Sequence, residues 1–487
     1  FDSHAWESNN PGHFGSQAAG TRDHRAKPRH GIAPNHDTES RQTTTRNRKT
    51  MLSWQHKPMS EMGNNMAYRA RICDDELAFR LESKGAVLVE GPKWCGKTTT
   101  AEQQAKSILY LQNPSKKNQY ARLAQIAPSS LLEGSTPRLL DEWQLAPELW
   151  DAVRFEVDHR ASFGQFILTG STKPMKDDRR AHSGTGRVAR MRMRTMTLVE
   201  SGDSSGEVSL SRLFEGESVG ICTSDVDLKR LAFLVCRGGW PQALIGSERV
   251  MLQQARDYVD SVAEVDVSEV DDSKHDSVLI RALLRSYARM SASQASLSQI
   301  ASDVVESIGR GSARTVERYV AAMQSLFIIE DLKSWNPNLR SKTAIRTSDT
   351  RHLTDPAIAA AALGAGPNDL INDLNTFGLL FESLCVRDLR VFAQALDGDV
   401  YHYRDKRGLE CDAVVHLRDG RYGLVEVKLG GDKLVEEGAK SLCKLRDEID
   451  VDKMPPPSFL MVLTGTGDFS YPREDGVMVV PVATLGL

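Results

Sequence analysis

Gly91-Pro92-Lys93-Trp94-Cys95-Gly96-Lys97-Thr98, residues 91–98, fits the pattern G-x-x-x-x-G-K-[ST] of a phosphate-binding loop. An apolar run at 86–89 precedes it and a helix-like stretch at 98–106 follows it, the strand-to-helix setting that such a loop needs. Its backbone N–H groups and the helix N-terminus attract phosphate. We expect Lys97 to reach the β- and γ-phosphates and Thr98 to hold Mg²⁺. The predicted nucleotide-binding residues of the loop are Gly91, Pro92, Lys93, Trp94, Cys95, Gly96, Lys97, Thr98 and Thr99.

Two later apolar runs end in polar side chains. Residues 138–142 end in Asp141 and Glu142, which suits a carboxylate in the Mg²⁺ shell and a base that polarises the attacking water. Residues 166–171 end in hydroxyls, of which Thr169 and Ser171 are predicted to contact the γ-phosphate or orient the water. Solvated acids at a strand end are the alternative. The loop and these two strands, in this order, predict an ATPase core with a parallel sheet.

The bulk composition is that of a globular protein of several domains. The chain has 487 residues, 40% hydrophobic residues and a net charge of −3, so any contact with nucleic acid must come from local patches. Its seven cysteines are scattered without C-x-x-C spacing, which favours a reducing, cytoplasmic setting. No apolar run is long enough for a membrane span.

The first 65 residues differ in composition from the rest. The first 50 contain no Leu, no Val and one Ile, so we expect a disordered leader at 1–65. Met66 is the expected natural start, because the folded pattern begins at 68–71.

The middle of the chain is predicted to be mainly helical. Strands are expected at 86–90, 107–111, 138–142, 166–170 and 190–198, followed by a loop at 201–218. Helices are expected over 225–290, interrupted at 238–241. Helices at 296–306 and 312–325, a strand at 327–332 and a basic hairpin with Arg340, Lys342 and Arg346 predict a winged helix. That module could contact DNA or simply connect domains.

A second group of chemically competent residues lies near the carboxyl end of the chain. A helix is expected at 375–395, with strands at 399–404, 409–417, 421–429 and 458–464. A tight hairpin that pairs 417 with 421 sets Asp412 opposite Glu426, and Lys428 shares the face of Glu426. Glu382 on the preceding helix could add a third carboxylate.

This second group suits metal-assisted phosphodiester hydrolysis. Carboxylates bind Mg²⁺ or Mn²⁺, and the lysine would orient water or stabilise developing charge. The catalytic residues would be Asp412, Glu426 and Lys428, and the metal ligands Glu382, Asp412 and Glu426. A cross-strand salt bridge is the alternative. Lys440 is the nearest candidate for a second lysine.

Over residues 67–487 the chain resembles prokaryotic AAA-type ATPases that carry a C-terminal domain of unknown function with a PD-(D/E)xK nuclease-like fold. The resemblance rests on the phosphate loop and the acidic cluster, and on residues 140–144, 168–171, 238–241 and 353–357. It implies ATP and Mg²⁺ at the first domain and a second Mg²⁺ or Mn²⁺ in the last. It also implies that Pro241 of a G-x-P lid motif packs over adenine. Arg187 stands where related ATPases often carry a transition-state arginine, although a surface arginine is the alternative.

The fold predicted from the sequence is α/β, with a parallel-sheet P-loop core, a helical lid, a winged helix and a restriction-endonuclease-like α/β domain. The expected boundaries are 66–200 for the core, 201–290 for the lid, 291–365 for the winged helix and 366–487 for the nuclease-like domain. Two functions fit: an ATPase coupled to a nuclease-like domain acting on DNA or other nucleic acid, or a nucleotide-dependent switch that binds a partner without cleavage. If the chain forms a homo-oligomer, as a ring or a dimer, Arg187 would act in trans.

Overall fold

The structure is a computed structural model that describes residues 68–172, 184–264, 276–336 and 348–487. The predicted leader at 1–65 lies outside these ranges, as does the predicted basic hairpin with Arg340, Lys342 and Arg346. Within them, no helix combines the length and apolar character that a bilayer crossing requires. All seven cysteines fall inside the described ranges and are free thiols.

The first layer of the described chain is a parallel sheet of five strands. These are β1 Ala86–Glu90, β2 Ser107–Tyr110, β3 Arg138–Asp141, β4 Phe166–Gly170 and β5 Val188–Arg192. Their spatial order is β2-β3-β4-β1-β5, with every neighbouring pair parallel. All five predicted strands are confirmed, although β5 begins and ends earlier than expected.

Helices cover both faces of this sheet. They are α1 Cys73–Ser83, α2 Lys97–Gln104, α3 Lys117–Ile126 and α4 Leu149–Arg160. One apolar cluster joins α4 to one face, and another joins α1 and α2 to the opposite face. β1 and β4 are therefore buried along their whole length, as the central strands of a covered parallel sheet are.

The chain leaves β5 earlier than the alternating pattern predicted. The strand was expected to run to 198, but helix α5 Leu198–Ser201 begins there, because Thr197 and Glu200 form a reciprocal capping box. The basic face predicted for this strand is present, and carboxylates that lie close to it in space pair with its arginines. Arg190 pairs with Glu90 at 2.7 Å, and the guanidinium groups of residues 192 and 194 both pair with Glu330.

The segment at 201–218, predicted to be a loop, contains a short strand and a helix. β6 Val208–Ser209 pairs in parallel with a strand at the far end of the chain, Leu485–Gly486, and α6 Leu210–Phe214 follows it. A two-residue strand with so distant a partner leaves no periodic signal in a Gly- and Ser-rich sequence, which is why the loop prediction was wrong here.

The predicted lid is helical. It contains α7 Leu228–Arg237, α8 Glu248–Glu264 and α9 Ser277–Arg289, with the expected interruption at 238–241 and a 3₁₀ turn at Pro241–Leu244.

Two helices of the predicted winged helix are present, but its first strand is not. α10 Leu297–Ile308 and α11 Ala313–Ser325 are separated by Gly309 in the left-handed conformation. In the described part of 327–353 the backbone makes isolated bridges, Ile329 with Leu353 and Leu332 with Thr350, so a continuous strand at 327–332 was a wrong prediction. The reason is local: Phe327 has a φ of +60°, which breaks extended backbone. The winged-helix assignment stays a prediction.

The carboxyl-terminal part is a mixed sheet between two long helices. After α12 Pro356–Leu363 and α13 Pro367–Asn372 the elements are α14 Leu374–Ala395, β7 Gly398–Arg404, β8 Glu410–Leu417, β9 Tyr422–Lys428, α15 Asp432–Glu448, β10 Phe459–Thr464, β11 Tyr471–Pro472, β12 Val477–Pro481 and the strand Leu485–Gly486, which is β13. The order in the main sheet is β11-β12-β10-β9-β8-β7. The predicted helix and four strands are confirmed; β11, β12 and β13 were not predicted.

The register of the β8–β9 hairpin is the one expected from the sequence. The N–H of Leu417 donates to the carbonyl of Arg421 at 2.8 Å, and Ala413 pairs with Val425. Continuing this pairing by one residue sets Asp412 opposite Glu426. Helix α14 packs on one face of the sheet and α15 on the other, the face that carries Glu426.

Candidate nucleotide site and C-terminal acidic cluster

The loop between β1 and α2 has a backbone that only glycine permits at two positions. A Cβ atom on Gly91 would lie 2.1 Å from the carbonyl oxygen of Met193. Gly96, which caps α2, has a φ of +104°. The loop therefore packs directly against the chain that follows β5, and it ends at the amino terminus of α2.

Lys97 lies folded over this loop and is 5% exposed. Its ammonium group donates to the carbonyl oxygens of Gly91 at 3.0 Å and Pro92 at 2.7 Å. Both partners are uncharged, so the positive charge of Lys97 is not neutralised by these contacts.

Asp141 collects three hydrogen bonds at the carboxyl edge of the sheet. The hydroxyl groups of Thr98 and Thr169 donate to its Oδ1 at 2.7 and 2.6 Å. The amide of Gln112, which follows β2, donates to Oδ2 at 2.5 Å. The parallel order of β2, β3 and β4 puts these strand ends side by side, and Asp141 lies beside Thr98, which was predicted to belong to the same Mg²⁺ site.

Glu142 has a strained backbone and a restrained carboxylate. Its φ is +56°, a region that non-glycine residues adopt rarely and often at functional positions. Its N–H donates to Thr169 Oγ1 at 3.2 Å. Its Oε2 accepts from the amide of Gln144 and from Ser171 Oγ at 3.3 Å. Thr169 thus supports both acids, and Ser171 touches the predicted base directly.

The remaining loop residues have distinct environments. Cys95 is fully buried, with its thiol 3.8 Å from the carbonyl of Met193, which suits a packing role. Trp94 is 51% exposed and meets the ring of Tyr258 edge-on at 5.9 Å. Thr99 is exposed on the first turn of α2.

The lid motif lies against this loop. The indole N–H of Trp240 donates to the carbonyl of Lys93 at 3.2 Å. Pro241 Cγ lies 3.6 Å from the position of a Cβ on Gly96. The structure thus brings Pro241 beside the phosphate loop.

Arg187 lies at the opposite edge of the sheet from the loop. Its carbonyl accepts from the N–H of Ala86, where β1 begins, and β1 is about 16 Å long at about 3.3 Å per residue. Its guanidinium donates to Asp158 at 2.8 Å, with both side chains partly exposed. It does not approach the phosphate loop of its own chain, so only a role in a neighbouring subunit remains open.

The C-terminal acidic cluster, Asp412, Glu426, Lys428 and Glu382, forms on β8, β9 and α14. Lys428 Nζ lies 2.5 Å from Glu426 Oε2 and 3.3 Å from Asp412 Oδ2. Asp412 Oδ2 also accepts from the N–H of Val427 at 2.7 Å. The three side chains therefore converge as predicted, with the lysine between the two acids.

Burial and the neighbouring acids hold the two glutamates of this cluster, Glu426 and Glu382, toward their protonated forms. Burial first, and then the charge of Asp412, raise the pKa of Glu426 to about 8. The same two causes raise the pKa of Glu382 well above its ordinary value. Burial opposes the charged form of Lys428, but the two acids outweigh it and raise the pKa of the lysine.

Neither a three-ligand metal group nor a second lysine accompanies these residues in the described ranges. There, no three His, Cys, Asp or Glu side chains are grouped as a ready metal site. Lys440 points away into solvent and pairs with Glu436 at 3.0 Å; the residue of α15 that packs over Glu426 and Lys428 is Gly438. The suggestion of Lys440 as a second lysine was therefore wrong.

Helix α14 joins the two sites. At its carboxyl end, the amide of Gln394 donates to the carbonyl of Arg192 at 2.8 Å and accepts from Arg194 at 2.6 Å. Asp388 accepts from the N–H of Leu198 at 2.9 Å. These contacts are to the last residue of β5 and to the segment after it, which touches the phosphate loop at Met193, whereas Glu382 lies toward the other end of the helix.

A buried carboxylate, Asp355, reinforces this junction. Its Oδ2 accepts from Thr195 Oγ1 at 2.7 Å, from the N–H of Gly239 in the lid motif at 3.0 Å and from Arg387 of α14 at 3.0 Å. Asp355 is fully buried. Its hydrogen bonds connect the segment after β5, the lid motif and helix α14 of the last domain.

Comparison with protein families divides the chain into three matched regions. Residues 83–201 match an AAA domain, residues 228–369 a domain of unknown function (DUF8612) and residues 377–485 another domain of unknown function (DUF4143). With the phosphate loop on a parallel sheet, the first match makes residues 83–201 a P-loop domain of the AAA type.

Similar whole proteins include uncharacterized proteins of Mycobacterium tuberculosis and Mycobacterium bovis. Each is 23% identical over 424 residues, covering 85% of this chain and 84% of the relative. Among solved structures, a Walker-type ATPase of Pyrococcus abyssi is similar with a TM-score of 0.35 and 12% identity, over 59% of this chain and 94% of that one.

Three residues at the nucleotide site were not predicted. Gln112 could have been found, because it follows β2 at the sheet edge where the other polar residues cluster. Gln144 lies two residues after Glu142 and restrains it. Arg71 donates to the carbonyl of Cys95 at 2.9 Å and pairs with Glu200 at 2.9 Å; nothing in its local sequence indicates that it supports the loop.

Proposed function

We propose that residues 83–201 bind ATP with Mg²⁺ and hydrolyse it. The observation that carries this proposal is the convergence of Thr98 and Thr169 on Asp141 beside the phosphate loop. Hydroxyl and carboxylate oxygens are the ligands that Mg²⁺ prefers, so the donor set fits the ion. When bound, Mg²⁺ would neutralise charge on the β- and γ-phosphates.

The chain's own residues have separate roles in this proposal. Lys97 exchanges its contacts with the loop carbonyls for phosphate oxygens, and the N–H groups of the loop and of α2 bind the rest of the triphosphate. Glu142 accepts a proton from the attacking water, and Ser171 and Gln144 hold its carboxylate in place. Thr169 fixes the spacing of Asp141 and Glu142. Pro241 and the exposed Trp94 lie where the nucleoside would emerge from the loop.

Lys97→Ala tests nucleotide binding, with Lys106→Ala as a matched control, because residue 106 is an exposed lysine just beyond α2. We expect Lys97→Ala to weaken ATP binding about 100-fold through loss of charge-assisted contacts, and the control to bind normally. Titration calorimetry with Mg·ATP measures both. Equal affinity of the two variants would end the phosphate-loop assignment.

Arg187 is proposed to act in trans in an oligomer. Its place at the far edge of the sheet excludes its own phosphate loop, and its partial exposure leaves it available to a neighbouring subunit. Arg187→Ala should slow hydrolysis about 10³-fold with ATP affinity retained. Mixing this variant with Lys97→Ala should restore part of the phosphate release, since each supplies what the other lacks. Normal turnover of Arg187→Ala alone would remove the assignment.

Nucleotide-dependent switching is proposed to reach the C-terminal domain through α14. Its 22 residues span about 33 Å at about 1.5 Å per residue. Gln394, near its carboxyl end, bonds the segment against the phosphate loop, and Glu382 lies twelve residues earlier, about 18 Å along the helix axis. A shift of that segment on ATP binding would therefore move a rigid element that belongs to the acidic cluster.

Gln394→Ala tests this link without touching the nucleotide site. Hydrogen exchange of α14 and β9, with and without a non-hydrolysable ATP analogue and Mg²⁺, is the measurement. We expect the nucleotide-dependent change in exchange to shrink in Gln394→Ala and to persist in Gln253→Ala, which removes an exposed amide bonded to Asp257 on α8. An unchanged response in Gln394→Ala would contradict the link.

The second candidate function is metal-dependent cleavage of a phosphodiester by the acidic cluster. The convergence of Asp412, Glu426 and Lys428 favours it, since a metal held by two carboxylates would lower the pKa of bound water. The same residues as a closed salt-bridge group would give a domain that binds without cutting.

One experiment distinguishes a domain that cleaves nucleic acid from a domain that only binds a partner. Full-length wild type and Asp412→Ala are incubated with single-stranded DNA, duplex DNA and RNA in Mn²⁺ or in EDTA. Cleavage that requires both Mn²⁺ and Asp412 would establish the nuclease. The absence of cleavage, together with the absence of Mn²⁺ binding by calorimetry, would leave the partner-binding switch.

A further inference from the structure

A groove of about 810 Å³ opens beside the C-terminal acidic cluster. It lies where β10 ends, α15 begins and residues 224–228 lead into α7. Its volume falls within the range of about 300–1,000 Å³ that is typical of binding pockets. The groove is distinct from the phosphate loop, which belongs to the first sheet.

All the charged side chains among the described residues that line the groove are acidic. Four of its lining side chains are aspartates, Asp225, Asp227, Asp432 and Asp468, and none of the described residues that line it is Lys, Arg or His. Two basic residues close by in sequence are paired outside it, Arg230 with Asp203 at 2.6 Å and the lysine after Asp432 with Glu437 at 3.9 Å, and Lys229 is exposed beside the lining residue Leu228. A concave surface with charges of one sign concentrates a negative potential.

The floor of the groove contains a buried hydroxyl group. Thr464 is 2% exposed, and its Oγ1 has no hydrogen-bond partner among the residues that the structure describes. It is the register partner of Lys428, so the floor borders the acidic cluster. A buried hydroxyl without a partner is destabilising, and a polar group of a bound ligand would relieve that cost.

Aromatic surface lies beside the acids. Phe469 is 45% exposed, and its ring meets that of Tyr471 at 5.8 Å. An exposed aromatic face next to carboxylates suits the aliphatic stem and charged head of lysine or arginine, through apolar contact and cation–π attraction.

The wall of the groove is already formed. The N–H of Ser224 donates to the carbonyl of Asp468 at 2.9 Å, and the N–H of Ser470 donates to the carbonyl of Cys222 at 2.9 Å. Ser470 Oγ donates to the carbonyl of Gly220 at 2.7 Å. These bonds fix Asp468 and Phe469 relative to the segment with Asp225, so a ligand would not have to order this wall.

We propose that this groove binds a lysine- or arginine-rich segment of a partner polypeptide. The four aspartates favour cationic side chains and repel a phosphodiester backbone, whose binding depends on basic side chains. The rings supply contact for the stems of those side chains. The inference goes beyond ATP hydrolysis and stands without it, because no residue of the phosphate loop lines the groove.

The test uses full-length protein and fluorescence anisotropy. The probes are a labelled, capped peptide of alternating arginine and alanine, the same peptide with glutamate in place of arginine, and an unlabelled duplex oligonucleotide as competitor. Asp432→Asn/Asp468→Asn removes two groove charges. Asp452→Asn/Glu474→Gln, a matched control, removes two charges from exposed positions of the same domain outside the groove lining.

We expect the arginine peptide to bind wild type and the control equally, and the groove variant about tenfold more weakly. The glutamate peptide should not bind, and added salt should weaken the arginine peptide. Equal affinity of the groove variant and the control would overturn the proposal. So would absence of peptide binding, or displacement of the peptide by the oligonucleotide. ATP hydrolysis, measured on the same samples, shows whether each variant is folded and keeps the two proposals separate.

Discussion

The nucleotide site and the C-terminal acidic cluster both combine acids with a lysine on a sheet, the first at the carboxyl edge of parallel strands and the second on the antiparallel pair β8 and β9, yet they use these groups differently. Lys97 contacts two backbone carbonyls, and Asp141 accepts from two hydroxyls and an amide. Lys428 lies between Glu426 and Asp412 and is shared by them. The first site keeps its charges available for a ligand, whereas the second partly neutralises its own. Residue types in a pattern therefore identify a candidate site, and the internal pairing of its charges indicates what it is ready to bind.

The largest expected effect comes from the backbone of the first site. Gly91→Ala would put a Cβ 2.1 Å from the carbonyl of Met193, so the loop has to move. We expect melting temperature to fall, since overpacking costs about 1–3 kcal/mol, and ATP affinity to fall about 100-fold as the N–H groups lose their alignment. Gly220→Ala is the control, because a Cβ there meets nothing within 4 Å. Thermal melting and ATP calorimetry measure both; a Gly91→Ala protein that binds ATP normally contradicts the loop geometry.

A smaller loss of ATP affinity should distinguish the proposed role of Asp141 in binding Mg²⁺ from the proposed role of Lys97 in binding phosphate. Asp141→Asn keeps an acceptor for Thr98 and Thr169 but lacks the charge that we propose holds Mg²⁺. We expect affinity for Mg·ATP to fall about tenfold and affinity for ATP in EDTA to change little. Asp75→Asn, on an exposed turn of α1, should change neither. Equal losses with and without Mg²⁺ would assign Asp141 to folding instead of to the metal.

The smallest effect is expected at the C-terminal acidic cluster, where its sign is informative. The pKa of Glu426 is raised to about 8. The stability that its protonated carboxyl group contributes is therefore fully present at pH values below its ordinary pKa, and it is lost as the pH rises through about 8. Asp412→Asn removes one cause of that rise. In EDTA at pH 8 we therefore expect Asp412→Asn to melt about 2 °C above wild type, with a smaller difference at pH 5.

The control for this experiment is Asp452→Asn, which removes an exposed charge from the same domain and should not respond in this way. A salt-bridge role for Asp412 gives the opposite sign: the variant would then melt below wild type at pH 8, and Mn²⁺ would change nothing for either protein.

What the sequence predicted well was local. The phosphate loop, the strands that end at Asp141 and Gly170, and the hairpin register that sets Asp412 opposite Glu426 each follow from spacing and alternation within a few residues. What it missed depends on distant contacts. Arg71 supports the loop from the chain before α1, and although the position of Gln112 after a predicted strand was a usable signal, its contact with Asp141 depends on the pairing of β2 with β3.

Sequence patterns could not predict the connection between the two sites either, because it also depends on contacts between residues that are distant in sequence. Residues 353–357 are part of the family resemblance, but only the fold shows Asp355 receiving hydrogen bonds from Thr195, the lid and α14. Likewise, β6 could not be separated from a loop without its partner at the end of the chain. Burial and pairing, which set the charge state of Glu426 and Glu382, come from helices packed on the sheet and leave no periodic signal.

ATP hydrolysis with Glu142 as the base is the central function proposed for this protein. The most direct test is single-turnover hydrolysis by full-length wild type and Glu142→Gln, with Mg·ATP affinity measured on the same samples. Gln can accept a hydrogen bond from Ser171 but cannot take a proton from water, so we predict retained affinity and a rate constant about 100-fold lower. A Glu142→Gln protein that binds and hydrolyses ATP at the wild-type rate would contradict the account.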